Sequence, residues 1–421
     1  MNEYDSDRIR NAIGAESTDD PDNADIIIIN TCAIREKADQ KAFSSVGKYK
    51  HLKARKPDMV VGISGCVAQL YGDKLLQRMP HLDFVLGPRA IPRLPELISS
   101  IEEKKLRPVE TSYDIEELFE VEPYHRPGKV TAFVSVQQGC NKRCSYCIVP
   151  RVRGDEVNRP LDDILRETRN LVGKGVKEIT FIGQTVNSWK ENGLKFGDLL
   201  REAAEIEGLD RIRYTTSYPR DITKKMIDAL KDVPKVCRHM HLPVQSGSNR
   251  ILSLMKRTYT REWYSDTVKR LKDAVPDMAL STDIIVGYPG EDERDFMETM
   301  SLLEKVQFES AFSFKFSPRP GTPAAELPSE EAVDEETAGK RLSILQSFQK
   351  EITYRKNRDR VGCIEEVLVE GASKNDPSIL AGRTSHNRIV NFPGSGEIPG
   401  QLVNVKITEG LPNSIRGELS V

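Results

Sequence analysis

The sequence predicts three successive parts: an N-terminal doubly wound α/β domain, a central open (partial) βα barrel and a small C-terminal β-barrel. Three observations predict it. Short apolar runs alternate with helical stretches from the start to about Ile101, the alternation resumes from Ala132 to Phe316, and beyond Arg358 it gives way to two-residue alternation between Gly and Pro turns. At 421 residues the chain exceeds one ordinary core, so two or three domains are expected.

The elements follow in order. A helix over Asp5–Ile13, with Asp5 or Ser6 placed to cap it, precedes a turn-rich Glu16–Asn23. Strands at Ile26–Asn30, Met59–Ser64 and Asp83–Leu86 then alternate with helices at Arg35–Lys50, Ala68–Met79 and Pro92–Ile101, the pattern of a doubly wound sheet. Such a sheet begins on a strand. None precedes the first helix, so a first strand is expected to be missing from the sequence as written. Leu106–Pro127, with Pro108, Pro123 and Pro127, reads as a linker. Six strands come next, at Ala132–Gln138, Glu178–Ile182, Arg213–Thr216, His239–Pro243, Ala279–Val286 and Ala311–Phe316. Helices near Leu161–Gly173, Phe196–Glu205, Lys224–Leu230, Tyr264–Ala274 and Glu293–Val306 separate them, which with right-handed crossovers makes a three-quarter barrel. A long amphipathic helix, Glu335–Asn357, leads out. Strands at Ile364–Glu370, Ile379–Thr384, Ile389–Phe392 and Leu402–Thr408 complete a small barrel. The expected domains are residues 1–115, 126–357 and 358–421.

Composition excludes several classes. With 38% hydrophobic and 30% charged residues the chain reads as soluble and globular. No apolar run approaches the ~20 residues of a membrane span, and MNEYDSDRIR lacks the apolar core of a signal peptide. Seven cysteines without an even framework point to a reducing compartment, hence to the cytoplasm, and a monomer is expected. The net charge of -2 carries no bulk signal for nucleic acid. Between Arg126 and Pro160, however, Arg126, Lys129, Lys142, Arg143, Arg151, Arg153 and Arg159 face only Asp155 and Glu156. That run reads equally as a phosphate-holding rim or as an ordinary solvated loop.

The chemistry concentrates in Gly139-Cys140-Asn141-Lys142-Arg143-Cys144-Ser145-Tyr146-Cys147, which follows the first barrel strand and so falls on the face that carries active sites in βα barrels. Its CxxxC and CxxC spacings share an odd number of sulfurs, so they cannot all pair as disulfides. Zinc usually takes a fourth Cys or His, and the nearest preceding histidine is His125. A 4Fe-4S cluster held by three thiolates leaves one iron open, and the amino and carboxylate groups of S-adenosylmethionine can chelate that iron. Three buried, unliganded thiols in so polar a loop would be poor chemistry. Cys32 and Cys66 each lie just past the carboxyl end of a predicted strand, where open sheets place ligands. Cys237 and Cys363 read as structural. His239 and His241 alternate with Met240 and Leu242, which puts both imidazoles on one sheet face as hydrogen-bonded lining.

The segments GCNKRCSYCIVPRVRG, FIGQTVNSW, HLPVQSGSNRILSLMKRTYTREWY and TDIIVGYPGE resemble, in order and over nearly the whole chain, the methylthiotransferases among the radical S-adenosylmethionine enzymes. The resemblance implies a 4Fe-4S cluster on Cys140, Cys144 and Cys147, with Tyr146 near the adenine of S-adenosylmethionine. It places Gln184, Asn187, Ser217, Gln245 and Asp283 in the pocket for S-adenosylmethionine and substrate. It also implies an auxiliary 4Fe-4S cluster on Cys32 and Cys66, whose third cysteine would belong to a Gly-Cys-Gln-Met-Asn segment that the sequence as written is expected to enter partway. Residues 358–421 resemble the TRAM RNA-binding module. The implied reaction inserts a methylthio group at C2 of N6-dimethylallyladenosine, at position 37 of a tRNA anticodon stem-loop, using two S-adenosylmethionine molecules and an external electron donor. Sister enzymes act on threonylcarbamoyl-adenosine in tRNA or on ribosomal protein S12. A non-catalytic iron-sulfur RNA-binding protein is a further alternative. So is a radical reaction without sulfur insertion, against which Cys32 and Cys66 count.

Overall fold

A computed structural model of the chain describes residues 1–34, 36–104, 106–113, 118–374, 376–394 and 398–420. Arg35, the expected start of the second helix, and the domain boundary expected at residue 115 lie outside the described residues.

One compact unit comprises Met1–Arg126, Gln138–Arg159 and Ser317–Ala325. Its elements are α1 (Asn2–Ile13), β1 (Ile26–Thr31), α2 (Glu36–Lys48), α3 (Lys50–Arg55), β2 (Val60–Gly65), α4 (Cys66–Tyr71), α5 (Lys74–Arg78), β3 (Phe84–Leu86), α6 (Leu94–Lys104) and β4 (Val109–Glu110). The strands are parallel in the order β1-β2-β3-β4. Because alternate residues of a strand face opposite sides, Ile27, Ile29, Val61, Ile63 and Val85 pack with Val46, Ala68 and Leu75. Ile26, Ile28, Val60, Phe84 and Leu86 pack with Ile9 of α1 and Leu94, Leu97 and Ile98 of α6. Helices therefore cover both faces, as a doubly wound sheet requires. The helix expected over Ala68–Met79 is two helices, because Gly72 turns the chain at φ +51°. Part of the expected linker, Val109–Glu110, is the fourth strand.

The second unit comprises Pro127–Gln137, Pro160–Phe316 and Glu326–Val421. Its first piece carries β5 (Thr131–Ser135); the chain then passes through β6 (Gln137–Gln138) into the first unit, where α7 (Val149–Arg153) and β7 (Val157–Asn158) follow the cysteine loop. After that come α8 (Leu161–Gly173), β8 (Glu178–Ile182), the ribbon of β9 (Lys190–Glu191) and β10 (Leu194–Lys195), α9 (Phe196–Ala204), β11 (Arg211–Tyr214) and α10 (Lys224–Asp232). β12 (His239–His241), α11 (Asn249–Leu254), α12 (Arg261–Ala274), β13 (Ala279–Val286), α13 (Glu293–Val306) and β14 (Ser310–Lys315) follow. Six strands form two parallel sheets, β5-β8-β11 and β12-β13-β14, joined by a parallel bridge between Ile212 and Val236. Among the described residues β5 and β14 are not paired with each other, so the barrel is open.

Helix α14 (Glu335–Arg358) leads to a closed five-stranded barrel in the order β15-β16-β17-β19-β18. These strands are β15 (Ile364–Ala372), β16 (Ile379–Thr384), β17 (Ile389–Pro393), β18 (Leu402–Gly410) and β19 (Ile415–Leu419), around Val367, Val369, Leu380, Val390, Phe392, Val405 and Ile407. Buried arginines of β11 fasten this module within the unit. Arg211 donates to the Glu366 carbonyl (3.0 Å) and pairs with the Glu366 carboxylate, and Arg213 donates to the Thr384 carbonyl (2.6 Å) while pairing with Glu178 (2.7 Å).

Candidate functional site

In the first unit, two cysteines meet at the end of a sheet. The β1–β2 register sets Thr31 opposite Gly65, so Cys32 and Cys66 leave adjacent parallel strands at the same level, and such strands lie about 4.8 Å apart. The turn is pinned by Thr31, whose hydroxyl donates to the Ser64 carbonyl (2.6 Å) and accepts from the Val67 N–H (3.2 Å). Gly65 sits at φ +92°, and a Cβ there would stand 2.4 Å from the Thr31 carbonyl oxygen. Replacing Gly65 by alanine is expected to lower stability by at least ~2 kcal/mol through strain and overlap. Urea denaturation checks this, with a smaller midpoint change at Gly14, where nothing lies within 4 Å, as the control.

The same unit holds the three-thiol loop. Cys140 and Cys144 are buried and Cys147 half-buried, and none of the seven cysteines is in a disulfide among the described residues. Gly139 (φ +81°) lets the loop pass the Asp155 carbonyl, 2.0 Å from where a Cβ would stand. The Cys140 N–H donates to the Gly154 carbonyl (3.1 Å), and the Cys147 N–H closes the CxxC turn on the Cys144 carbonyl (3.1 Å). The Lys142 N–H points at the Cys140 sulfur (3.4 Å), the kind of donor that tunes a cluster-bound thiolate. Tyr146 is half-buried. The segment Ser317–Ala325 belongs to this unit and braces the loop: the Ala324 N–H donates to the Ser145 carbonyl (2.9 Å), Arg151 donates to the Gly321 carbonyl (3.2 Å), and Arg319 makes a buried pair with Asp39. Of the basic run, Arg153 and Arg159 turn inward and are buried, which leaves Arg126, Lys129, Arg143 and Arg151 exposed.

These residues fit iron-sulfur chemistry. Each thiolate of a cubane binds its own iron, so the sulfurs stand apart rather than converging on a point. Cys32 and Cys66 follow the adjacent, in-register ends of β1 and β2.

In the second unit the strand ends converge. Gln137, fully buried, accepts the Gln184 N–H (2.9 Å) on its amide oxygen, and a Cβ on Gly183 would stand 2.5 Å from that atom. Asn187 is used at both ends of its amide, donating to the Tyr218 carbonyl (2.9 Å) and accepting the Tyr218 N–H (2.7 Å), so it clamps two loops together. Thr216 and Gln245 adopt φ +68° and +75° at the ends of the third and fourth strands. Such conformations are strained for residues with a side chain and cluster at functional sites. The Ser217 hydroxyl is buried without a hydrogen-bond partner among the described residues. Ser246 is structural, within hydrogen-bond distance of Thr299 (3.3 Å) and accepting the Ser248 N–H (3.2 Å).

Asp283 and His241 lie 3.3 Å apart. Ser281 continues the line, its hydroxyl 3.0 Å from His241 Nδ1 and 3.1 Å from His239 Nε2, so the two histidines are the hydrogen-bonded lining expected. Burial, followed by the Arg213 charge, pushes the His239 pKa down to about 3. The unfolded chain takes up a proton near the ordinary value of about 6.5 while the folded chain does not. Stability is then fully present above that value and lost as the pH falls toward 3, at up to about 1.4 kcal/mol per pH unit. Replacing His239 by asparagine should flatten that part of the acid-denaturation profile.

Comparisons with known proteins agree with this architecture. Residues 134–303 match the radical SAM superfamily, residues 1–87 match the uncharacterized protein family UPF0004, and residues 358–420 match the TRAM domain. The radical S-adenosylmethionine methyltransferase TsrM from Kitasatospora setae, with tryptophan substrate and a SAM analog bound, aligns at a TM-score of 0.58 and 16% identity, covering 77% of this chain and 72% of that one. The cobalamin-dependent radical enzyme OxsB aligns at 0.52 and 12%, covering 77% and 48%. Both likenesses concern the fold. The chain is thus a radical S-adenosylmethionine enzyme carrying a TRAM domain. The tRNA-2-methylthio-N(6)-dimethylallyladenosine synthase of Hahella chejuensis is 45% identical over 99% of this chain and 96% of its own length; that of Delftia acidovorans is 46% identical over 100% and 97%. At that identity and coverage, the chain belongs to the tRNA-2-methylthio-N(6)-dimethylallyladenosine synthase family of methylthiotransferases. A 4Fe-4S cluster and S-adenosylmethionine come with that family. Among the described residues no helix is long and apolar enough to cross a membrane.

Proposed function

We propose that this enzyme places a methylthio group on C2 of N6-dimethylallyladenosine at position 37 of tRNA, beside the anticodon. The observation that carries the reading is the near-full-length identity with relatives bearing that name. Cys140, Cys144 and Cys147 hold the 4Fe-4S cluster that binds S-adenosylmethionine, and Cys32 with Cys66 hold an auxiliary cluster. When bound, these groups supply the one-electron cleavage of one S-adenosylmethionine and the seat of a sulfur methylated by a second.

The chain's own residues bind, orient and position. Tyr146 lies by the adenine of S-adenosylmethionine. Gln184, Ser217, Gln245 and Asp283 line the pocket for S-adenosylmethionine and substrate, with the Ser217 hydroxyl offered to a ligand and Asp283 set by His241. Asn187 belongs to the same pocket as the clamp that fixes its loops. The target base leaves its stack to reach the pocket, which an anticodon-loop nucleotide does at low cost. Of the three domains, N-terminal (1–115), barrel (126–357) and TRAM-like (358–421), the last contributes RNA contacts. The enzyme works as a monomer in the cytoplasm with an external electron donor.

Mass spectrometry of tRNA nucleosides from cells that depend on this gene tests the reading. The 2-methylthio derivative of dimethylallyladenosine should be present, and absent once the gene is removed. Methylthiolation of threonylcarbamoyl-adenosine or of ribosomal protein S12 instead would move the enzyme to a sister specificity.

A further inference from the structure

Phe312 is 55% exposed, and of the thirteen phenylalanines it is the only exposed one among the described residues. It lies in the middle of β14, a barrel strand of the second unit, and not on a loop. Alternation along the neighbouring strands fixes the face it occupies. Met240 of β12 and Leu280, Thr282 and Ile284 of β13 are buried, on the side that helices cover in a βα barrel. His241, Ser281, Asp283 and Ile285, the alternate residues, therefore line the inner side. The register sets Asp283 opposite Phe312 and Ile285 opposite Phe314, and the Phe312 ring meets the His241 ring at 72°, with 5.7 Å between centroids.

This inner face is divided. Its polar half is the line of Asp283, His241 and Ser281; its apolar half is Phe312 with the half-buried Ile285 and Phe314. Three apolar side chains in register make a patch rather than a lone exposed residue, and such a patch gains when a ligand covers it. The base that the enzyme acts on is divided in the same way: its N6 carries one remaining N–H donor and a branched hydrocarbon arm. We propose that Phe312 is a specificity-determining contact for that arm, covering it together with Ile285 and Phe314, while Asp283 accepts the N6–H; this rests on the dimethylallyladenosine reading above. His241 faces one oxygen of Asp283, Oδ2 (3.3 Å), and is itself held by Ser281 at Nδ1 (3.0 Å), so the carboxylate stays oriented with its second oxygen for the base.

The test uses the full reconstituted chain and a pair of anticodon stem-loop RNAs that differ only in carrying N6-dimethylallyladenosine or adenosine, with affinity read by fluorescence anisotropy. The unaltered protein is expected to favour the dimethylallyl RNA by roughly tenfold or more, since an apolar pocket discriminates by the hydrocarbon that fills it. In Phe312→Ala that preference should shrink to within about threefold, while affinity for the plain RNA changes by less than about twofold because phosphate contacts dominate it. Phe312→Leu, which stays apolar, should keep most of the preference. Should Phe312→Ala fail to fold by circular dichroism, Phe312→Thr, suited to a strand, takes its place. A folded alanine or threonine variant with the full preference overturns the assignment, as does an unaltered protein that methylthiolates the dimethylallyl RNA yet binds both RNAs alike. An unaltered protein that methylthiolates neither RNA overturns the functional reading, and this inference with it.

Discussion

Replacing Cys144 by alanine is expected to lower formation of 5'-deoxyadenosine from S-adenosylmethionine by at least ~10³-fold, because a cluster that offers an open iron needs all three thiolates of its loop. The CxxxCxxC loop itself carries no fourth thiol. Its backbone should survive the change. The Cys140–Gly154 and Ser145–Ala324 hydrogen bonds do not involve the Cys144 side chain, nor does the Arg319–Asp39 pair. Chromatographic measurement of 5'-deoxyadenosine, with circular dichroism as the folding control, separates loss of chemistry from loss of fold.

Replacing Cys66 by alanine should give the complementary result. Methylthio transfer is expected to fall by at least ~10²-fold while 5'-deoxyadenosine formation stays within about threefold, since the two cysteine sets would serve different steps. The sheet end itself stays in place, because the Thr31 hydroxyl holds the turn through Ser64 and the Val67 N–H rather than through the Cys66 sulfur. Nucleoside mass spectrometry on a hairpin RNA and the 5'-deoxyadenosine assay, run on one sample, read both quantities together. Loss of both activities at unaltered folding would contradict the division of labour.

How much of this was legible in the sequence depended on how local the determining physics is. The strands Glu178–Ile182 and Ala279–Val286 and the helices Leu161–Gly173 and Glu293–Val306 end where the sequence reading places them. In α13 the reason is visible, since Asp292 and Asp295 form a reciprocal cap that the chain announces by itself. The misses are short or tertiary. β4 has two residues, which alternate with nothing, and β19, Ile415-Arg416-Gly417-Glu418-Leu419, carries a glycine and two charges and becomes a strand by closing the barrel between β17 and β18. α7 and α11, of five and six residues, are too short for a helical period.

Among the candidate site residues, the placement of Cys32 and Cys66 at equivalent strand ends needed only strand assignments, and the register brings them side by side. The clamp made by Asn187, the left-handed backbone at Thr216 and Gln245, and the support Gln137 gives to the Gln184 turn could not be read, because each depends on what a neighbouring strand presents. Nor could the inward turn of Arg153. In sequence it stands among exposed bases, and only the fold sets Asp5 beside it.

The central claim is met most directly by one anaerobic reaction: reconstituted protein, a low-potential reductant, S-adenosylmethionine and an anticodon stem-loop RNA bearing N6-dimethylallyladenosine, digested and read by mass spectrometry. The account predicts that the modified adenosine gains a methylthio group in place of one hydrogen, with 5'-deoxyadenosine formed alongside. An unaltered nucleoside and intact S-adenosylmethionine, from protein shown to carry iron and sulfide, would contradict it.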